Sequence, residues 1–190
     1  MYLSFDEKDV EYLKRRDKRL AAVIESIGLL PERREEPDIF SSLVHRIAGQ
    51  QISTKAQQSV WARITRGLSA VTPENVAAAG IDGLRSFGLS QRKAEYILHA
   101  AQKVISGEFV PSALRDANDE EAIETLCSLR GVGVWTAEML LIFSLGRRDV
   151  LSFGDLGIQR GLRMLYRHKE ITPAIFDRYR KRYSPCGTLA

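Results

Sequence analysis

Asp155 opens a helical run, Leu156 to Tyr166, downstream of the turn Leu129-Arg130-Gly131-Val132-Gly133. A carboxylate at a helix start has two uses. It can cap the helix, or it can stabilise a developing cation and act as general base, help typically worth about 10²–10⁴ in rate. The turn lies between two helical patterns with its glycines two apart. Glycine reaches backbone conformations closed to other residues and carries no Cβ to hold a bulky ligand away. The helix that follows presents backbone N–H groups suited to an anion. Such a link is either a tight turn or a phosphate clamp. Trp135 stands two residues past Gly133, either as a core residue at a helix start or as a ring face that attracts a cation by about 0.5–2 kcal/mol. Met139 stands four residues on, on the same helix face, as a neighbour of Trp135 or as core. His45, His99 and His168 are isolated and lack zinc spacing.

These residues need helices to position them, and the sequence supplies almost nothing else. Ser4 and Glu7 have capping-box spacing ahead of Val10, Leu13, Leu20, Ile24 and Ile27, which predicts one helix ending near Gly28. Pro31 to Pro37 reads as a charged linker. Asp38 and Ser53 are caps for the next two helices, the latter ending near Gly67, and Thr72-Pro73-Glu74 starts another. Gly80 and Gly88 punctuate two short helices, and Ser90 opens a long one to Gly107. Residues 108–118 read as a polar connection. Helices follow from Asp119 to about Ser128, Val134 to Leu145, Asp155 to Tyr166 and Pro173 to Tyr183. Trp61, Tyr96 and Tyr166 fall at core spacing. The predicted class is all-α.

Composition narrows the function classes. The chain has 190 residues, 44% hydrophobic and 27% charged, which is ordinary globular chemistry in one domain or two small lobes. No apolar run approaches the roughly 18–20 residues of a membrane span, so no membrane partner is expected. The first seven residues lack a signal-peptide pattern, and Cys127 and Cys186 cannot build a disulfide framework or a four-cysteine cluster. The expected location is a reducing cytoplasm. Residues 147–182 carry 10 basic and 4 acidic side chains. That excess is either a solvated face or a phosphate-binding surface.

The stretch Leu129 to Ala137 resembles the helix-hairpin-helix of the DNA glycosylase superfamily that bears that name. Asp149-Val150-Leu151-Ser152-Phe153-Gly154-Asp155 and the residues to Gly161 resemble that family's catalytic-aspartate loop. Ile47 to Ala56 and Phe87 to Lys93 are similar to two segments of its alkylation-repair branch, that of the 3-methyladenine DNA glycosylase II relatives. Four segments in order cover about residues 40 to 190. The resemblance implies a two-lobed helical fold over 1–190, with an N-terminal helix and linker in 1–37 and the motif-bearing core in 38–190. It also implies a closing family helix beyond Ala190, which would leave the sequence one helix short.

The resemblance implies roles as well. Asp155 is the catalytic carboxylate; Gly154 stands where relatives often have a second aspartate. Bifunctional members place a nucleophilic lysine where this chain has Trp135, and residues 131–155 hold no lysine. An indole cannot form a Schiff base, so the implied enzyme is monofunctional and has no lyase activity. Trp135 and Met139 would line the base pocket. Gln51, flanked by Gln50 and Ile52, stands where a wedge enters the DNA, although the two glutamines can also simply end a helix. Gly131, Val132, Gly133 and Thr136 would bind DNA phosphate. The backbone carbonyls of Cys127, Leu129 and Val132 would hold a monovalent Na or K ion. No other cofactor and no iron–sulfur cluster is implied. Cys186 stands where an aromatic residue of the pocket is expected. The implied substrate is double-stranded DNA with damaged bases, taken as 3-methyladenine or 7-methylguanine type purines, and the protein is expected to act as a monomer. Two rivals remain at this point: a non-catalytic DNA-binding module, and a glycosylase for other damaged or mismatched bases.

Overall fold

Short polar side chains set the element boundaries. The computed structural model describes residues 5–28 and 38–190, with the backbone of Tyr2–Leu3 and Arg33–Arg34. Among these, nine α-helices begin at a residue whose side chain accepts a first-turn N–H. They are α1 (Glu7–Arg16, cap Asp6), α2 (Lys18–Ile27, Asp17), α3 (Ile39–Gly49, Asp38), α4 (Thr54–Leu68, Ser53), α5 (Pro73–Ser86, Thr72), α6 (Gln91–Ile105, Ser90), α7 (Asp119–Cys127, Asn118), α9 (Leu156–Tyr166, Asp155) and α10 (Pro173–Tyr183, Thr172). Each cap typically contributes about 1 kcal/mol. The remaining α-helix, α8 (Val134–Phe143), follows Gly133, which has no side chain to cap with. The only described strands, β1 (Tyr2–Leu3) and β2 (Arg33–Arg34), form a two-residue antiparallel pair, so the class is all-α as expected.

Three expectations change. The first predicted helix is two helices. Hydrophobic spacing runs through residue 17, but Asp17 turns its carboxylate inward, 6% exposed, and spends Oδ1 on the N–H groups of Arg19 and Leu20. The capping box of α1 is made by Asp6 and Asp9 rather than by Ser4 and Glu7; Ser4, like most of the Pro31–Pro37 linker, lies outside the described residues. The connection 108–118 contains a turn of 3-10 helix, Pro111–Arg115, which buries Leu114. Gly80, at φ 61, kinks α5 in two, as the punctuation there predicts.

The chain divides into two compact units, one made of residues 36–140 and one of 1–35 with 141–190. In the first, α5 packs on α6, and α3 packs on α4 and α6, around buried Leu43, Ile47, Ile64, Leu84 and Ile97. In the second, α1 meets α10 and α2 meets α9. Its core gathers Leu13, Leu20, Leu162, Phe176, Tyr179, Tyr183 and Cys186. Among the described residues no helix is long and apolar enough to cross a membrane.

Candidate functional site

The candidate residues fall in both units. Residues 36–140 hold the hairpin, Trp135, Met139 and the segment 50–52, and the other unit holds Asp155.

The hairpin joins α7 to α8. Gly131 adopts φ +83, and a Cβ there would come within 2.1 Å of the Tyr96 ring, so this position demands glycine twice over. Gly133 does not share that backbone, and a Cβ on it would meet nothing within 4 Å. The first glycine serves the turn, and the second leaves open the space in front of it. Leu129 and Val132 are buried, and the Val132 N–H closes the turn on the Leu129 carbonyl at 3.1 Å.

Segment 50–52 meets the hairpin through a side chain that the sequence leaves ambiguous. Gln50 Nε2 donates to the Gly131 carbonyl at 2.9 Å and lies 3.4 Å from Thr136 Oγ1. Gln50 is therefore spent on bracing the hairpin. The buried Thr136 hydroxyl faces this amide. Gln51 and Ile52 are exposed, and Gln51 sits at φ 56, a left-handed conformation that costs a non-glycine residue of order 1–3 kcal/mol. Strain of this kind collects where a side chain must be aimed.

Lys93, on α6, closes the segment Phe87 to Lys93, but its task is visible only in the structure. Its Nζ donates to the carbonyls of Ala48 at 2.9 Å and Gln50 at 2.6 Å, fastening the end of α3. Burial pushes its pKa below the ordinary lysine value. Tyr96, one turn further along α6, backs Gly131. One helix thus supports both the hairpin and the 50–52 segment. Backbone carbonyls leave no trace in a sequence, and no motif could have assigned Lys93 this task.

On α8, Trp135 is 42% exposed while Met139 is 8% exposed and packed in the interior. The indole is the more accessible of the two proposed pocket residues.

Asp155 accepts two hydrogen bonds on Oδ1, from the N–H groups of Gly157 at 2.8 Å and Ile158 at 3.1 Å. The cap predicted for this position exists and fixes the carboxylate to the head of α9. The loop before it is held at both ends. Asp149 accepts from the Ser184 hydroxyl at 2.5 Å and the Gly187 N–H at 3.0 Å, and the Thr188 hydroxyl donates to the Arg147 carbonyl at 2.8 Å. Gln159 Nε2 returns from α9 to the Phe153 carbonyl at 2.6 Å. Cys186, expected at a pocket position, is buried in the core with its Sγ 3.6 Å from Asp9 Oδ1, and burial raises its thiol pKa. Among the described residues no three His, Cys, Asp or Glu side chains group as metal ligands.

Comparison with known proteins gives this arrangement a family. The chain is 34% identical over 147 residues to DNA-3-methyladenine glycosylase 1 of Schizosaccharomyces pombe, covering 75% of this chain and 64% of that protein. It is 27% identical over 164 residues to DNA-3-methyladenine glycosylase 2 of Escherichia coli, covering 80% of this chain and 55% of the relative. The chain thus spans less than two thirds of the length of these relatives. The crystal structure of a DNA-3-methyladenine glycosidase from Bacillus halodurans matches with a TM-score of 0.85 at 37% identity, covering 100% of this chain and 88% of that one. The Schizosaccharomyces pombe 3-methyladenine DNA glycosylase in complex with abasic DNA matches at 0.83 and 31% identity, covering 95% and 91%. A family model described as HhH-GPD superfamily base excision DNA repair protein matches residues 44–185, a stretch that runs from α3 through the hairpin and Asp155 to the end of α10. The chain belongs to the HhH-GPD superfamily of base excision DNA repair proteins.

Proposed function

We propose that this protein is a monofunctional DNA glycosylase that hydrolyses the N-glycosidic bond of alkylated purines in duplex DNA. The observation that carries this reading is a carboxylate fixed at the head of α9 by two backbone N–H groups, in a stretch, 131–155, without a lysine. The names of the similar proteins support the substrate class.

The target bond is inaccessible inside the duplex, so the nucleotide is turned out at a cost of a few kcal/mol. Gln51 and Ile52, exposed where α3 ends, fill the gap. The hairpin holds the backbone through the N–H groups that follow Gly131, with Gly133 giving room for close approach. An alkylated purine carries a formal positive charge, which the exposed Trp135 ring face attracts. The base then leaves with the electrons of the glycosidic bond. Asp155 stabilises the positive charge left on the sugar and takes a proton from the incoming water, whose oxygen bonds to C1′. A cationic leaving group needs no partner acid, and the product is an abasic site in an unbroken strand.

The family implies a monovalent cation at the hairpin, and the residues fit one. Cys127 ends α7, where carbonyls lack a partner inside the helix. The carbonyls of Leu129 and Val132 lie in the same turn, and the space before Gly133 is open. A sodium or potassium ion held by these three carbonyls would neutralise charge on a DNA phosphate. Hydrolysis needs no further cofactor. The protein acts as a monomer, and gel filtration is expected to return its 21.4 kDa.

The test is base release from methylated duplex DNA by the wild type and by Asp155→Asn, with strand breaks scored before and after alkali. Release of methylated purines by the wild type, at least 100-fold slower release by the variant at undiminished DNA binding, and breaks only after alkali are expected. DNA binding with no release by the wild type would identify a non-catalytic module. Release confined to mismatched or oxidised bases would move the substrate class.

A further inference from the structure

Four of the basic side chains of residues 147–182 line two different recesses. Arg160 and Arg163 line an open groove along α9 with Leu156, Gln159, Met164 and His168. Lys181 and Arg182 instead surround a separate recess with Arg15 and Arg16 of α1. Arg182 is already committed there, donating to Asp17 Oδ2 at 2.6 Å, and its guanidinium lies 6.0 Å from the centre of the Tyr166 ring. Tyr166 is the last residue of α9, so this recess adjoins the end of the helix about 16 Å from Asp155, at 1.5 Å per residue.

We propose that the α9 groove is the track for the DNA strand that carries the reacting nucleotide. The proposal rests on the glycosylase reading. Place comes first. The groove begins at Leu156, the residue next to Asp155, so a strand whose sugar reaches Asp155 passes its mouth. Charge comes second. The lining holds two guanidinium groups, one imidazole and one amide, and no carboxylate, which is complementary to a phosphodiester chain. Exposure comes third. Leu156 is 79% and Met164 72% exposed, on a helix whose other face is well packed. Apolar side chains interleaved with arginines suit the alternation of sugar and phosphate. From Leu156 to Met164 the groove runs about 12 Å, the axial length of three or four nucleotides of one strand. Gln159, one of its walls, is bonded to the Phe153 carbonyl in the loop that carries Asp155. Occupation of the groove therefore bears on the segment that places the carboxylate.

The test is the salt dependence of binding to a methylated duplex, with base release followed on the same substrate. Arg160→Gln/Arg163→Gln is compared with Arg178→Gln/Arg180→Gln, two exposed α10 positions outside the groove. All four side chains are exposed, so both variants are expected to fold, which circular dichroism melts would verify. The α9 variant is expected to flatten the slope of log K against log salt by roughly one to two, at about 0.9 for each duplex phosphate no longer neutralised. It is also expected to weaken binding at least about tenfold at moderate salt, and the α10 variant to leave both unchanged. An unchanged slope in the α9 variant, or equal flattening in the α10 variant, overturns the track while base release by the wild type keeps the glycosylase reading. Absence of base release by the wild type, with the α9 slope effect present, overturns the glycosylase reading and leaves the groove as a DNA-binding surface.

Discussion

Alanine at Gly131 would force a left-handed backbone on a residue with a Cβ and drive that Cβ into the Tyr96 ring. The two penalties predict a loss of about 2–4 kcal/mol for Gly131→Ala, read from the urea midpoint. Alanine at Gly133 meets nothing within 4 Å. That substitution is expected to hold stability within about 1 kcal/mol of wild type and still to weaken DNA binding, because the new methyl occupies the approach to the N–H groups of α8. A pair of melts and a pair of anisotropy titrations separate the two roles. Trp135→Ala, at a 42% exposed position, is expected to slow release of a cationic base more than of a neutral one such as hypoxanthine. The differential should be about 2- to 30-fold, the kinetic equivalent of a 0.5–2 kcal/mol cation–π contact. At this scale the sequence was legible where a residue type has few uses. Paired glycines, a carboxylate at a helix start and a tryptophan in place of a lysine could all be read. Gln50 and Lys93 could not, because their partners are carbonyls of residues 48, 50 and 131.

At the scale of elements, the junction of α1 and α2 is the instructive case. Spaced Leu13, Leu20 and Ile24 read as one helix. The break is enforced from elsewhere: Tyr166 and Arg182 both donate to Asp17 Oδ2, at 2.7 and 2.6 Å, from positions 149 and 165 residues away. Burial alone pushes the Asp17 pKa up. The Tyr166 hydroxyl, the Arg182 guanidinium and the Leu20 and Arg19 N–H groups together outweigh it and hold the carboxyl below its ordinary value. A depressed folded pKa means that the contribution to stability is full above about pH 4, the unfolded value, and is lost as pH falls through the lower folded one. Asp17→Asn keeps a cap oxygen but removes the charge. It is expected to cost about 1.5–3 kcal/mol at pH 7, the range of a hydrogen bond to a charged group, and the gap to wild type should shrink in urea melts at the acid end. Elements whose caps act locally, α3 through α6 and α10, were predictable to within a residue or two; the one fixed by distant partners was not.

For the whole molecule, the net charge of +4 conceals how unevenly its parts face a polyanion. DNA affinity is expected to fall steeply between 50 and 200 mM salt, and a flat response would remove the basic segment from the interface altogether. The sequence located this excess between residues 147 and 182 but could not divide it: two of the ten basic side chains fall on α9, four on α10 and four on neither, and chain order does not say which face each takes. The divided chain path has a further consequence, in time rather than in space. Residues 36–140 form a continuous stretch that can pack as soon as it leaves the ribosome, whereas α1 and α2, made first, find their partners α9 and α10 only in the last fifty residues, 141–190. Closing a loop of that length is a slow, entropically costly step. In a pulse-labelled refolding experiment, amide protons of α3–α7 are expected to gain protection before those of α1 and α2. The N-terminal helices, with Asp17 still open to water, would be the segment a chaperone or a protease meets first.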